Sequence, residues 1–221
     1  MTKTGSMDPL SAIIKKEKTE EYKMQDEKND TSKVFLAGQI FGQLALDHIT
    51  GERRFYGGKV YVNIDGKECF VPIMATEEVF KKCNLSPSLL GNKWVKIEGF
   101  LNSFKPQNGQ TKIFVYVSRI SIARSEEERF YQNAVYLSGK VKSKPISWKN
   151  KSKNREKAEF WMEVQRYNTM VDQIPVYCKG KTAKKATHFF INKEVSLKGQ
   201  LNTRCGTSCE PSCEVWAKEL E

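Results

Sequence analysis

Histidine is nearly missing from this chain of 221 residues: His48 and His188 are the only two. Imidazole-based catalysis is therefore a poor reading from the outset. Asp47 and His48 are adjacent but have no nucleophile partner in sight. Nor is there a Gly-rich phosphate loop ending in Gly-Lys-Ser/Thr, a His-Glu-x-x-His helix or a Gly-x-Ser-x-Gly elbow. No enzyme and no cofactor are expected. Long apolar runs are also absent. None approaches the ~18 residues of a membrane helix, and Met1 to Asp30 lacks the apolar centre of a secretory signal. The expectation is a cytoplasmic protein without membrane contact. Its six cysteines then read as reduced thiols rather than a disulfide framework. Acidic residues are outnumbered, 26 against 37 Lys and Arg, which leaves a net charge of +11. That excess points to a polyanionic partner.

What is present is organised. Residues 1–33 hold seven lysines and seven acids with few apolar side chains, and read as a disordered charged tail. Within it Leu10, Ala12, Ile13 and Ile14 leave a short docking helix open as an alternative. From Val34 the texture changes to short strands of period 2. Lys59 to Ile64 alternates, and Asp65-Gly66 marks a hairpin turn directly after it. Thr76 to Cys83 is a helix candidate with Thr76 as N-cap.

The pattern then recurs about 100 residues later. Val34–Gly38 returns as Val135–Gly139, Val71-Pro72-Ile73 as Ile174-Pro175-Val176, and Val95–Asn102 as Val195–Asn202. Tyr61 and Trp161 read as mates within their strands. The chain is expected to be two copies of one domain: OB-fold one at 34–124, a linker at 125–133 opening on a short helix at Glu126–Glu128, and OB-fold two at 134–221. The fold class is all-β, two tandem five-stranded OB barrels, each with one short helix between its third and fourth strands. Gly38, Gly99, Gly139 and Gly199 suit the sharp coiling of such barrels.

The second copy resembles the bacterial single-stranded DNA-binding protein family. Asn133–Val141, Phe160–Arg166, Ile174–Lys181 and above all Glu194–Arg204 are similar to that family's successive strands. Copy one carries a weaker version, best at Trp94 to Asn102. The family's third-strand aromatic is matched by Phe70 in copy one and replaced by Gln173 in copy two. The chain has no acidic tail ending in Asp-Asp-Ile-Pro-Phe, which leaves room for a primosomal relative that shares the barrel. The resemblance implies binding of single-stranded DNA on a sheet face, a role in replication, repair or recombination, and four barrels per assembly, hence a homodimer. RNA, and protein contacts of a replication or recombination machine, remain open as alternative partners.

Such binding needs cations along phosphates and rings for base stacking. From Lys140 to Lys157 the chain carries Lys140, Lys142, Lys144, Lys149, Lys151, Lys153, Arg155 and Lys157 against one acid, Glu156, with Trp148 in the middle. The alternative is a merely solubilising loop. Period 2 puts Phe160, Met162 and Val164 in the core and Trp161 outside, with Tyr61 likewise outside. A core-capping or subunit contact is the alternative for both rings. Val71, Ile73, Ile174 and Val176 should be core. Phe70, Pro72, Met74, Pro175 and Tyr177 should share the outer face, extended by Lys179, Lys181, Lys184 and Lys185. Copy two, net +8 against +5 for copy one, should bind more strongly. Cys205, Cys209 and Cys213 are spaced so that zinc, thiol redox chemistry or incidental loop cysteines all remain open; a fourth zinc ligand would come from Cys178, His188 or another chain. Cys69, Cys83 and Cys178 sit in apolar contexts and read as core or near-core thiols.

Overall fold

The computed structural model describes residues 31–107, 110–150, 155–166, 170–204 and 212–221. Eleven strands form one continuous sheet that closes on itself twice. The first barrel comprises β1 (Ser32–Thr50), β2 (Arg53–Ile64), β3 (Lys67–Thr76), β4 (Trp94–Phe104) and β5 (Lys112–Ile122). The second comprises β6 (Gln132–Val141), β7 (Ile146–Asn150), β8 (Arg155–Gln165), β9 (Val171–Lys179), β10 (Glu194–Arg204) and β11 (Ser212–Leu220). Antiparallel neighbours run β2-β3-β5-β4-β1 and β6-β10-β11-β9-β8-β7, except for short parallel pairs β3–β5 and β9–β11. The pairings β1–β2 and β6–β8 close each barrel. This is the expected OB architecture.

The period-2 pattern sorts the side chains as anticipated. Phe160, Met162 and Val164 are buried, as are Val71, Ile73, Ile174 and Val176. Helix α1 (Glu77–Lys82) buries Val79 and Phe80, with acids in its first turn and lysines in its last, complementing the helix dipole. Thr76 is its N-cap, but its side chain makes no capping bond. Helix α2 (Lys181–Ala186) occupies the same place in the second barrel. At Gly38 and Gly139 a Cβ would collide with the carbonyl of the strand opposite, Tyr61 and Glu163 respectively, and Gly99 and Gly199 are crowded in the same way. Side chains there would pry the barrels open.

Three local expectations change. The long first loops are paired strands: β1 continues to Thr50 and folds back on β2, and β7 folds back on β8. Strand β1 begins at Ser32, inside the stretch read as tail. No helix opens at Glu126–Glu128; a single turn from Glu126 to Arg129 spans the gap. Three adjacent like charges without an apolar face leave a helix nothing to bury.

The repeat is also a symmetry. Strands β1 and β6 pair antiparallel, joining the barrels with Val34 opposite its own mate Val135. Around that point, contacts recur in mirrored pairs. Leu101 N–H donates to Ser32 Oγ at 2.9 Å, and Leu201 N–H donates to Asn133 Oδ1 at 2.8 Å. Phe70 N–H donates to Thr203 Oγ1 and Gln173 N–H to Ser103 Oγ, both at 3.0 Å. Each barrel thus pins the other with a hydroxyl: Thr203 of β10 holds β3, and Ser103 of β4 holds β9. The register also corrects the repeat alignment. Tyr61 lies opposite Phe70 and Glu163 opposite Gln173, while Lys59 and Trp161 lie opposite Pro72 and Pro175. Tyr61 is therefore the mate of Glu163, and Trp161 that of Lys59. The slip is two residues, so both rings still face outward.

Candidate nucleic-acid interface

The outer face of the second barrel gathers rings and ammonium groups from five strands. Tyr177 sits at its centre, flanked by Trp148 from β7 and Trp216 from β11, with ring centroids 5.8 and 5.4 Å away. Lys179 Nζ lies 3.3 Å from the Trp216 centroid and 5.6 Å from that of Tyr177. Lys157 Nζ lies 6.0 Å from the Tyr177 centroid. The fifth contribution comes from the other barrel: Lys67, at the start of β3, places Nζ 5.9 Å from the Trp216 centroid. Amines over ring faces are held by the ring quadrupoles. Partial burial and the neighbouring Lys67 and Lys157 charges lower the Lys179 ammonium to about pKa 8. Three like charges thus share one cluster, offset in part by Glu214, and the surface they make is suited to an anion.

The expected residues divide as follows. Tyr177 is on the outer side but buried beneath its neighbours. Trp161 is exposed there, and its backbone N–H donates to Ser143 Oγ. Lys140 and Lys144 are exposed. Lys142 pairs with Glu163 at 2.8 Å, so it is already partly neutralised. Lys149 lies 3.9 Å from Glu156, the loop's one acid. Lys181 opens α2 and is exposed. Lys151 and Lys153 lie outside the described residues; Arg155 contributes its backbone to β8.

The first barrel is richer in rings and poorer in charge. Phe41, Phe70, Tyr61, Tyr131 and Trp94 form an unbroken row, with successive centroids 4.9, 5.4, 5.7 and 4.9 Å apart. Phe41 is 58% exposed at one end. Tyr61 donates to Glu68 at 2.9 Å, which fixes its hydroxyl and leaves the ring to the row. Met74 lies apart from it, in a cavity of about 420 Å³ lined also by Phe100, Phe114, Tyr116 and, from the second barrel, Arg166 and Met170. Arg166 is locked by a two-pronged contact with Asp172, whose Oδ2 accepts from Nε at 2.8 Å. Arg166 and Lys67 thus mirror each other: each barrel's hairpin completes the other's groove.

Reasoning from sequence missed Phe41, Lys67, Trp94, Tyr131 and Trp216. A signal existed for one of them, since Trp216 stands 100 residues after Tyr116, the repeat's own offset, and β11 pairs with β9 as β5 does with β3.

The cysteines separate from this surface. Cys69 and Cys178 are buried and Cys83 is half-buried. Burial pushes the Cys178 thiol up to about 12. Burial, then the neighbouring Cys69 and Glu214, push Cys213 well above its ordinary range. Cys205 and Cys209 lie outside the described residues, and among the described residues no group of three possible metal ligands assembles. No described helix is long and apolar enough to cross a membrane.

No family model matches the sequence, and no curated protein matches it significantly. Solved structures do match. The wild-type single-stranded DNA binding protein from Thermus aquaticus superposes with a TM-score of 0.69 at 14% identity, covering 86% of this chain and 91% of that one. A deletion mutant of the same protein gives 0.68 at 15% identity, covering 86% and 93%. The N-terminal domain of PriB from Thermoanaerobacter tencongensis matches 43% of this chain over its whole length, at 25% identity and a TM-score of 0.37. Over most of its length, this chain has the fold of the Thermus aquaticus single-stranded DNA binding protein.

Proposed function

We propose that this chain is a non-catalytic single-stranded DNA-binding protein, which coats and protects strands exposed in replication, repair or recombination. The observation that carries the proposal is the cluster Trp148, Tyr177 and Trp216 with Lys67, Lys157 and Lys179 among its rings. Bases stack on aromatic faces at about 1–3 kcal/mol each, and ammonium groups track the phosphates between them. A duplex hides its base faces and cannot use such a surface. The five-ring row of the first barrel extends the stacking surface. The fold shared with a protein that binds single-stranded DNA supports the same reading.

The working unit in this proposal is a cytoplasmic homodimer of four barrels. Its support is the apolar patch where β1 meets β6, at which Phe35 packs edge-on against Tyr136 and the latter stays 41% exposed. The test is competition against labelled oligo(dT). Unlabelled single-stranded DNA should displace it while duplex DNA of equal length fails to. Displacement by RNA at the same concentration would move the assignment to RNA.

A further inference from the structure

A second cavity, about 420 Å³, opens on the second barrel between the β7–β8 hairpin and α2. It wraps the hairpin edge: Lys149 and Glu156 pair across β7 and β8 on one face, Trp148 and Lys157 on the other, and all four line it. Trp148, Lys149, Lys184 and His188 complete its walls. The volume suits one nucleotide.

Glu156 is the unusual member. Its Oε2 is buried and has no hydrogen-bond partner among the described residues. Lys149 and Lys184 approach the two carboxylate oxygens only to 3.9 Å, beyond hydrogen-bond reach. Its backbone carbonyl accepts from Gly180 N–H at 2.8 Å, which anchors the residue against the start of α2. A buried acceptor left unmade costs free energy until a donor arrives. The one acid in a stretch of eight cations thus has two ammonium groups close by and one oxygen that none of the described donors reaches, in a cavity that Trp148 also lines.

We infer that this cavity binds a guanine base. A carboxylate offers two acceptors side by side, and guanine presents two adjacent donors, N1–H and the N2 amine, on one edge. Cytosine and adenine offer one amine next to an acceptor, and thymine one N–H between two acceptors. The neighbouring ammonium of Lys149 or Lys184 can donate to guanine O6. Trp148 supplies a face for the ring, and Lys157 a charge for the attached phosphate. In a bound strand the result is a preference for guanine at one position on an otherwise sequence-tolerant surface. This rests on the single-strand reading above, although the same edge could come from a free guanine nucleotide.

Two arms separate these sources. The first compares oligo(dT) with the same oligomer carrying one central dG, or one deoxyinosine, which lacks the N2 amine. The dG oligomer should bind about tenfold more tightly than oligo(dT), deoxyinosine should gain less, and Glu156→Gln should erase the dG advantage. The second titrates the full chain with GMP, CMP and AMP and follows tryptophan fluorescence. GMP alone should respond, and Glu156→Gln should abolish the response. A dG advantage without a GMP response assigns the site to bases within a strand. Should oligo(dT) not bind while GMP does, the single-strand reading fails and the cavity stands as a free-nucleotide site. Equal affinity for the dG and dT oligomers by the wild-type chain, with no GMP response, overturns the inference.

Discussion

Raising the pH from about 7 to about 9 should weaken single-strand binding through one side chain, Lys179. Its ammonium sits at about pKa 8 in the free protein. It is therefore mostly charged at pH 7 and mostly neutral at pH 9. A phosphate seated beside it restores the charged form, so binding takes up a proton at the higher pH. If the phosphate brings the amine back to its ordinary 10.5, affinity falls about tenfold over those two units. The side chain is exposed, and solvent screening reduces this to about three- to fivefold. The same loss should shrink the log–log salt slope by about 0.7, one phosphate contact on a single strand. The assay is fluorescence titration with oligo(dT) at both pH values. Lys179→Arg is the control, since a guanidinium keeps both its charge and its place over the Trp216 ring. A flat pH response in the wild-type chain, or an equal response in Lys179→Arg, would refute the argument.

The remaining predictions follow from single contacts. Lys67→Ala should lower the salt slope by about 0.7 although its barrel is the less basic one, because the amine works over Trp216 of the other barrel; the slope is read from titrations at several salt concentrations. Phe41→Ala and Trp161→Ala should each weaken binding by about 1–3 kcal/mol with the slope intact. Both rings are exposed, so thermal melts of these variants should match the wild type. Arg166→Ala should destabilise the fold by about 3 kcal/mol in urea unfolding, because it removes the counter-charge of the buried Asp172 carboxylate and leaves it with its Ser103 hydrogen bonds. Phe160→Ala should cost about 3–5 kcal/mol in the same assay by leaving a cavity in the second barrel.

The barrels were legible because strand periodicity survives in both copies, and because Val34–Gly38 and Val95–Asn102 recur in order. The pairing of Tyr61 with Trp161 was misread for a traceable reason. The Pro72–Pro175 offset is 103, so extra residues lie between the copies' first and third strands. Matching aromatic to aromatic hid them; the register puts Glu163 opposite Gln173 where Tyr61 meets Phe70. The face of each side chain was still correct, because a two-residue slip preserves strand parity. The crossing contacts of Lys67 and Arg166 left no mark in the sequence. They arise from antiparallel pairing of β1 with β6, which no local pattern encodes. Likewise the basic stretch looked like one uniform patch, whereas pairing of β7 with β8 divides it. Lys157 joins the rings, Lys142 joins Glu163, and Lys149 turns toward Glu156.

In the proposed function this surface holds unpaired strands through stacking and phosphate contact together. The most direct measurement is quenching of intrinsic tryptophan by oligo(dT) and by duplex DNA of the same length, at two salt concentrations. Trp148 and Trp216 lie within the cluster and should report its occupation. Oligo(dT) should quench strongly, with affinity falling with salt at about −0.7 per contacted phosphate on a log–log plot, and duplex should bind far more weakly. Equal affinity for duplex and single strand, or oligo(dT) binding without any tryptophan response, would contradict it.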